Sequence, residues 1–487
     1  MSAKVQKTQK QKDNMYYIHS IIGLTIMFGF GFLPPFSTIT PLGMDMLGIL
    51  LGLIYLWSMV DMGWPSLAAL IAYLLTGATT MKDIMATGFG NNSVMISVFA
   101  TAFTFAVASS GIFDILAKWI LTRKIFQGKP WVLTFALIGM VFLLNACYAG
   151  VAVLFLVWAL LPKIGEICGL EKQHPWYALV VVGTVFALCM AECIFPFRPM
   201  ALVMIGFGAP LGVTDMPFVQ FIVYTTLIVV AITVISIALL KFILRVDLSK
   251  MKDVDLSGML DNSEKLTKHQ KVCAVLLVLF ILSMILVGSS SLLPDSVIKA
   301  KLSSLTIVGV SFIFFAIAMI YRVDGKPLLN MKTVAKDVPW DIVLLLSVVF
   351  TFCSSMAKPE TGLTSFFAMV TAPLLGGHSP FVFMLIMFSV TVIATNFLNN
   401  TVVIMIMVNI AAGYVLNMGL NPYMIIIIFM ITAQVAFLLP ASSIWGSFCH
   451  SQSEMCGKVN IYKTAAMFAL GTILSLFIII PLGNMIF

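Results

Sequence analysis

The sequence predicts an all-α polytopic membrane protein, and three observations lead to this class. The chain of 487 residues is 61% hydrophobic and only 10% charged, whereas about a quarter of the residues in a soluble domain are charged. Its mean hydropathy is +1.07. Apolar runs of about 20 residues, the length of one membrane crossing, recur from one end to the other. We therefore expect a multi-pass protein of the cell (inner) membrane.

The apolar segments fall into two similar halves on either side of a polar linker. Residues 1–16 form a basic tail, and residues 17–43 contain an extra first helix. A first repeat is predicted at 44–245, with one of its helices at 92–121. A cytoplasmic linker is predicted at 246–268 and a second repeat at 269–487.

Two apolar blocks, at 131–163 and 380–412, have an unusual length. One crossing needs about 20 residues, and two crossings need roughly 40 residues and a turn. Each block therefore predicts a re-entrant helical hairpin. The segments 175–208 and 421–447 contain prolines and predict broken helices. The breaks are expected at Pro196, Pro199 and Pro440.

With these hairpins, the chain has about 11 transmembrane helices. Most of the 28 Lys and Arg residues then lie in cytoplasmic segments, as the positive-inside rule requires. The net charge of +8 thus reflects membrane topology and does not indicate a nucleic-acid partner. The N-terminus is expected in the cytoplasm and the C-terminus outside. Each half has an odd number of crossings, so the second copy is inverted and the fold is an inverted repeat.

The stretch "TNFLNNTVV" at 395–403 lies midway along the second hairpin block, between long apolar runs. Inverted repeats of this design occur in secondary transporters, where hairpin tips and broken helices bind substrate and ions near the midplane. We interpret the stretch as a hairpin tip whose amides face a binding cavity. Alternatively, its Asn and Thr side chains join neighbouring helices through hydrogen bonds.

Three stretches, "TNFLNNTVV", "VPWDIVLLLSVVF" and "SFCHSQSEMCGKVNIYKTA", carry a family resemblance. In these stretches the sequence resembles the divalent anion:sodium symporter (DASS) family, which is part of the ion transporter superfamily. The resemblance is that of a divergent member. That family has Ser-Asn-Thr at each hairpin tip, and Asn399, Asn400 and Thr401 stand at these positions of the second tip. The resemblance implies alternating-access symport or exchange of a small anion, a di- or tricarboxylate, with Na⁺ as coupling ion. It also implies a homodimer in membrane lipid.

The first tip departs from the family pattern. When Asn145 is aligned with Asn396, the sequence "YAG", which ends at Gly150, stands in place of Ser-Asn-Thr. The first predicted break reads "FPFRP" and contains Arg198. A charged side chain at membrane depth costs about 2.5–3.5 kcal/mol on insertion scales and indicates function. A guanidinium also binds a carboxylate through two parallel hydrogen bonds. We therefore expect Arg198 to replace one sodium ion, although an ion pair with Glu192 or an interfacial position would explain it too.

The candidate site residues lie at the two tips and the two breaks. The predicted substrate-binding residues are Arg198, Asn145, Gly150, Asn399, Asn400, Thr401, Ser442 and Ser443. The predicted Na⁺ ligands are Asn399, Asn400, Thr401 and Ser442. No other cofactor is expected. A cation/proton antiporter or another anion permease on the same scaffold stays open. A membrane enzyme or receptor is disfavoured, because the apolar segments show no paired carboxylates, metal-ligand cluster or nucleophile.

Overall fold

The structure is a computed structural model, and it describes residues 3–121, 129–213, 215–251, 266–323, 325–356, 358–415 and 417–487. Most of the predicted linker, 252–265, lies outside the described residues, as do the first two residues of the tail.

The described chain is helical apart from its loops and one short hairpin. The helices before the linker are α1 (Ala3–Gly29), α2 (Pro41–Met59), α3 (Gly63–Leu75), α4 (Met81–Asp83), α5 (Asn92–Ala108), α6 (Ile112–Leu121), α7 (Pro130–Ala146), α8 (Val151–Ile167), α9 (Pro175–Ala191), α10 (Pro199–Phe207) and α11 (Phe218–Leu239).

The helices after the linker begin with α12 (Lys268–Gly288), α13 (Val297–Ile320), α14 (Met331–Asp337), α15 (Trp340–Val348), α16 (Ser354–Met356), α17 (Leu363–Leu375) and α18 (Pro380–Ala394). They continue with α19 (Asn400–Val415), α20 (Pro422–Ala433), α21 (Ile444–Ser451), α22 (Ser453–Cys456) and α23 (Lys458–Ile486). Strands β1 (Arg322–Val323) and β2 (Lys326–Pro327) pair antiparallel, with Arg322 opposite Pro327.

Shorter helical turns extend or connect these elements. The 3₁₀ turns are Phe30–Phe32, Ala209–Leu211, Ser249–Met251, Ser290–Leu292 and Pro359–Thr361, and the π-helical turns are Ile84–Phe89, Leu240–Leu244 and Val349–Cys353.

The all-helical, polytopic class is confirmed. Six of the described helices are long and apolar enough to cross a membrane, or seven if the pair Met81–Phe89 and Asn92–Ala108, bent by 50°, is one span. Other apolar helices are only 10–17 residues long. Three arms of the predicted hairpins belong to this shorter group, with 17 residues in α7, 15 in α18 and 16 in α19. The fourth arm, α8, is also 17 residues long. The full count of 11 crossings and the inversion stay predictions.

The two helices that lead into the predicted breaks are the most buried part of the chain. Every residue from Trp176 to Ala191 of α9 is buried, and so is every residue from Met424 to Ala433 of α20. Both helices are apolar all round, which is the pattern of a helix enclosed by others. The segments that follow them start inside the helix bundle: 192–198 is buried or half-buried, and 434–443 is buried at its start but exposed at Pro440 and Ala441.

The structure differs from the predicted segments at three places. Helix α1 begins at Ala3, within the segment 1–16 that was expected as a tail before the first helix. The segment expected as one helix at 92–121 is divided into α5 and α6, because Gly111 takes a φ of 74°, which is outside the helical region. Helix α17 was not predicted. It lies directly before α18, as α6 lies before α7.

Candidate functional site

Most residues that sequence patterns indicate as functional lie in four irregular segments, and the others lie at the helix ends that flank these segments. We call residues 147–150 the first tip, 192–198 the first break, 395–399 the second tip and 434–443 the second break. The tips separate the arms α7 from α8 and α18 from α19, and the breaks separate α9 from α10 and α20 from α21.

Each predicted hairpin is hydrogen-bonded to the broken helix of its own half. In the first half, Trp158 Nε1 of α8 donates to Thr184 Oγ1 at 3.0 Å, and Trp176 Nε1 of α9 donates to Thr134 Oγ1 of α7 at 2.9 Å. In the second half, Thr395 Oγ1 donates to the carbonyl oxygen of Ala433 at 2.7 Å. These buried bonds hold each tip beside a break.

Asn396 supports the second break. Its Nδ2 donates to the carbonyl oxygens of Val392 at 2.8 Å and Val435 at 2.9 Å, and its Oδ1 accepts from the backbone nitrogen of Leu438 at 2.9 Å. A broken helix at membrane depth leaves backbone groups without partners, and side chains must satisfy them. Asn396 therefore has a structural role, in keeping with the alternative interpretation of the "TNFLNNTVV" amides.

Asn145 lies at the corresponding place in the first half. Its Nδ2 donates to the carbonyl oxygen of Val141, four residues earlier, at 2.9 Å, as Asn396 does to Val392. The shared bond is consistent with the alignment of the two tips. The Asn145 side chain is buried, and the recorded bond lies within its own helix.

Gly150, which ends the first tip, has a conformation that glycine alone adopts readily. Its φ is 70° and its ψ is −165°, a region that costs other residues about 1–3 kcal/mol. A Cβ at this position would meet no atom within 4 Å, so the requirement is conformational and the space beside Gly150 is open.

We expect Gly150→Ala to destabilise the protein by about 1–3 kcal/mol through this backbone conformation alone. Gly139→Ala is the matched control, because a Cβ there also meets nothing within 4 Å, but Gly139 lies within helix α7. Alanine in a helix interior is favoured by up to about 1 kcal/mol, so the control should melt at the wild-type temperature or above it. Equal melting temperatures for the two variants would contradict the prediction.

Arg198 is a buried cation with two unpartnered donors. Its side chain is 5% exposed, and neither Nε nor Nη1 has a hydrogen-bond partner. The guanidinium carbon lies 3.9 Å from the centre of the Tyr148 ring, close enough for a cation–π interaction. Its burial at the first break argues against an interfacial position for this charge. The structure records no ion pair between Arg198 and Glu192, both of which it describes.

Tyr148 sets the position of this guanidinium, and sequence patterns gave it no clear role. Its φ of 68° is unusual for a bulky residue. The phenol Oη donates to the carbonyl oxygen of Phe197 at 3.0 Å, so the ring is tied to the first break. The ring covers one face of the guanidinium and does not supply a partner for Nε or Nη1.

A hydrogen-bonded chain joins the two halves beside Arg198. Gln434 Nε2 donates to Glu192 Oε2 at 3.3 Å, and Asn400 Nδ2 donates to Gln434 Oε1 at 3.0 Å. The chain links the first break, the second break and the start of α19. Gln434 is absent from the predicted site residues, although an amide directly after the apolar helix α20 is a signal that could have indicated it.

The remaining predicted residues lie at the second tip and the second break. Asn399 Oδ1 accepts from the backbone nitrogen of Thr401 at 2.9 Å. The hydroxyl of Ser442 donates to the carbonyl oxygens of Ala436 at 2.8 Å and Leu439 at 2.7 Å, and Ser443 Oγ also donates to Ala436. The serine hydroxyls thus satisfy backbone groups that the break frees, and each oxygen keeps lone-pair capacity for a further partner.

Helix N-termini add positive potential to the cluster. Helix α10 begins directly after Arg198, α8 directly after Gly150 and α19 at Asn400. An N-terminus carries about half a positive charge and favours anions. Arg198, as the N-cap residue of α10, adds a full positive charge to one of these ends, so this part of the site requires a negative partner.

A separate apolar groove of about 450 Å³ lies between α7, α9 and α11. Its walls include Phe135, Phe186 and Val230, and none of the predicted site residues lines it. An apolar groove cannot stabilise an anion, so we assign the polar cluster and not this groove as the candidate site.

Curated relatives match a part of the chain. The Na(+)/dicarboxylate cotransporter 3 of Rattus norvegicus is 28% identical over 154 residues, which cover 31% of this chain and 25% of the relative. The Na(+)/citrate cotransporter of the same organism is 31% identical over 119 residues, or 24% of this chain and 20% of the relative. The matches thus span a quarter or less of the relatives' own length.

Two solved structures share the fold over most of the chain. MtrF of Neisseria gonorrhoeae, one of a class of antimetabolite efflux pumps, has a TM-score of 0.51 and 14% identity over 84% of each chain. The YdaH transporter of Alcanivorax borkumensis has a TM-score of 0.53 and 13% identity over 85% of this chain and 89% of its own. At these identities the likeness concerns the fold alone.

The family model described as CitMHS, citrate transporter, matches residues 53–433, well over half of the chain. Together with the cotransporter relatives, this match confirms the resemblance predicted from the sequence motifs. It also places the chain among transporters, in agreement with the expectation that a membrane enzyme is disfavoured. The chain belongs to the citrate transporter family.

Proposed function

We propose that this protein is a secondary active transporter of a di- or tricarboxylate that binds its substrate at Arg198. The observation that carries the proposal is the buried guanidinium with Nε and Nη1 unpartnered. A buried charge without a partner is strongly unfavourable, so such a group calls for a ligand of opposite charge. A guanidinium binds the two oxygens of a carboxylate through two parallel N–H bonds, so a carboxylate is a suitable ligand.

The second tip and second break supply the remaining contacts in this proposal. A second carboxylate would lie near the N-terminus of α19, where Asn399, Asn400 and Thr401 offer amide and hydroxyl groups. The oxygens of Ser442 and Ser443 would complete this side. Two anionic groups on one substrate would thereby bridge the two halves of the chain, which favours a di- or tricarboxylate over a monocarboxylate. The names of the sodium-coupled relatives support this substrate class.

Na⁺ at Asn399, Asn400, Thr401 and Ser442 forms a further part of the proposal. These side chains offer neutral oxygens only, and the donor set fits a monovalent cation better than a divalent one, which usually requires carboxylates. Bound Na⁺ would offset the charge of the second carboxylate. Arg198 provides the corresponding charge in the first half, so we propose fewer sodium ions than in a relative with two such sites.

Alternating access in this proposal is a movement of the hairpins and broken helices against the other helices. The hydrogen bonds Trp158–Thr184 and Thr395–Ala433 support it, because each fastens a hairpin to the broken helix of its own half. We propose an inverted repeat as the basis of the two access states. The homodimer and the cytoplasmic N-terminus are predictions from the resemblance and the charge pattern.

The test is the melting temperature of the purified protein with a panel of anions, each in Na⁺ and in choline buffer. Ligand at about 100 times its Kd stabilises the bound state by about 2.7 kcal/mol, enough for a shift of a few degrees. We expect succinate and citrate to raise the melting temperature more than acetate, sulfate or phosphate, and more in Na⁺. Absence of a response to every carboxylate would contradict the proposed function, and an equal response in choline would remove Na⁺ from it.

A further inference from the structure

Glu192 and Arg198 lie at opposite ends of the first break. At each position the dipole of the adjacent helix disfavours the charge of the side chain. Glu192 follows the last residue of α9, where the helix dipole is negative, and Arg198 precedes α10, where the dipole is positive. The ionised forms are therefore destabilised by their own helices. The two opposite charges lie at the two ends of the same short break without forming an ion pair, so each favours the ionised form of the other.

Among the described residues that interact with Glu192, Arg198 is the cation, and its positive charge favours the ionised carboxylate. The other charge-bearing or polar neighbours of Glu192 are Gln434, which donates one hydrogen bond, and the thiols of Cys189 and Cys193. These groups are neutral near pH 7. Titratable groups on the elements packed nearby are Cys147 and Tyr148 of the first tip and Cys449 and His450 of α21. The first three of these are also neutral near pH 7. His450 Nε2 donates to the carbonyl oxygen of Leu438 at 3.0 Å.

We propose that Glu192 takes up a proton from solution when an anion binds to Arg198, and releases it when the anion leaves. The inference rests on the proposed function. A carboxylate on the guanidinium cancels the positive charge that stabilises ionised Glu192. An oxygen of the Glu192 carboxylate then forms an O–H bond with a proton delivered by hydronium or a buffer acid. This proton offsets the one negative charge of the carboxylate that binds Arg198. Gln434 remains hydrogen-bonded to the carboxyl group and holds it in place.

Because anion binding and protonation of Glu192 are thermodynamically linked, the pH in turn changes the affinity for the anion. If one proton is taken up with each anion, lower pH strengthens anion binding by as much as about tenfold per pH unit. The affinity depends on pH in the pH range where Glu192 is ionised in the free protein and protonated in the complex. This dependence disappears at lower pH, where both forms are protonated, and at higher pH, where both are ionised.

The test is isothermal titration calorimetry of the purified protein with succinate, at about pH 7.5, where the free dicarboxylate is ionised. Titrations in buffers of different ionisation enthalpy give the number of protons taken up for each anion bound. We expect a fraction of a proton, up to one, for the wild type. Glu192→Gln, which imitates the protonated form, should bind succinate more tightly at high pH and with no uptake. Glu166→Gln, at an exposed position on α8, is the matched control and should keep the wild-type uptake.

The outcomes separate this inference from the proposed function. Succinate binding to the wild type without proton uptake would overturn the role of Glu192 and leave the transporter proposal in place. Uptake that persists in Glu192→Gln would overturn it as well. No binding of succinate or citrate to the wild type would overturn both. The wild-type titrations decide the first and last outcomes even if Glu192→Gln does not fold.

Discussion

Replacing Arg198 by methionine is expected to abolish stabilisation by carboxylates while leaving the ligand-free protein at least as stable as the wild type. Methionine keeps most of the side-chain volume and removes the charge. Truncating one partner of a buried, hydrogen-bonded charge pair costs about 2–5 kcal/mol of binding free energy. Anion affinity should therefore fall on the order of 30-fold or more.

The ligand-free melting temperature distinguishes a substrate-binding role from a structural one. Nε and Nη1 of Arg198 are buried without partners, so the charge does not contribute hydrogen bonds through them to the fold. Exchange of an unfavourably buried charge for an apolar side chain is neutral or stabilising, by about 1–4 kcal/mol. A large fall in the melting temperature of Arg198→Met without ligand would therefore identify the guanidinium as a structural group.

Two further variants calibrate this result. Arg198→Lys keeps a positive charge but loses the planar pair of donors, so we expect an affinity between those of wild type and Arg198→Met. Arg245→Met is the matched control, because Arg245 is exposed and its recorded hydrogen bond is to the carbonyl oxygen of Phe242. Its response to carboxylates should equal that of the wild type. The same loss in Arg245→Met would show an effect of net charge and not of the site.

Some features of the fold and site could be predicted from the sequence because they depend on local composition. Apolar runs identified the membrane class, and the block lengths indicated pairs of short helices, which the structure has as α7 with α8 and α18 with α19. Arg198 was recognisable because a charge within an apolar run is costly to bury. The division of 92–121 was missed, since it depends on the positive φ of Gly111, a conformation that sequence does not reveal.

Other features depend on contacts between distant residues and could not be predicted from one sequence. Glu192 and Gln434 are 242 positions apart, and their bond exists because α9 and α20 bring both breaks to the same place. The same limit applies to the polar stretch "TNFLNNTVV". Sequence patterns could not tell which of its amides point to the backbone of the second break, as Asn396 does, and which lie at the start of α19, as Asn400 does.

Asn396→Leu is expected to be among the most destabilising single substitutions in the second half. The wild-type side chain bonds three backbone groups, two of them in the second break at Val435 and Leu438. Each buried backbone group that loses its partner costs about 1–3 kcal/mol. Leucine has a similar size, so the loss concerns hydrogen bonds and not volume. The expected destabilisation of about 2–5 kcal/mol should appear as a lower melting temperature of the purified protein.

Asn409→Leu is the matched control for this prediction. Asn409 is also a buried asparagine on the same predicted hairpin, but its recorded bond goes to the carbonyl oxygen of Met405, one turn earlier in α19. That carbonyl can keep its helical partner, so the control should lose much less stability. Because Asn396 acts on the break and not on the ligand, carboxylates should still raise the melting temperature of Asn396→Leu from its lower starting value. If both variants melt at the wild-type temperature, the second break does not depend on Asn396, and its backbone groups must find other partners.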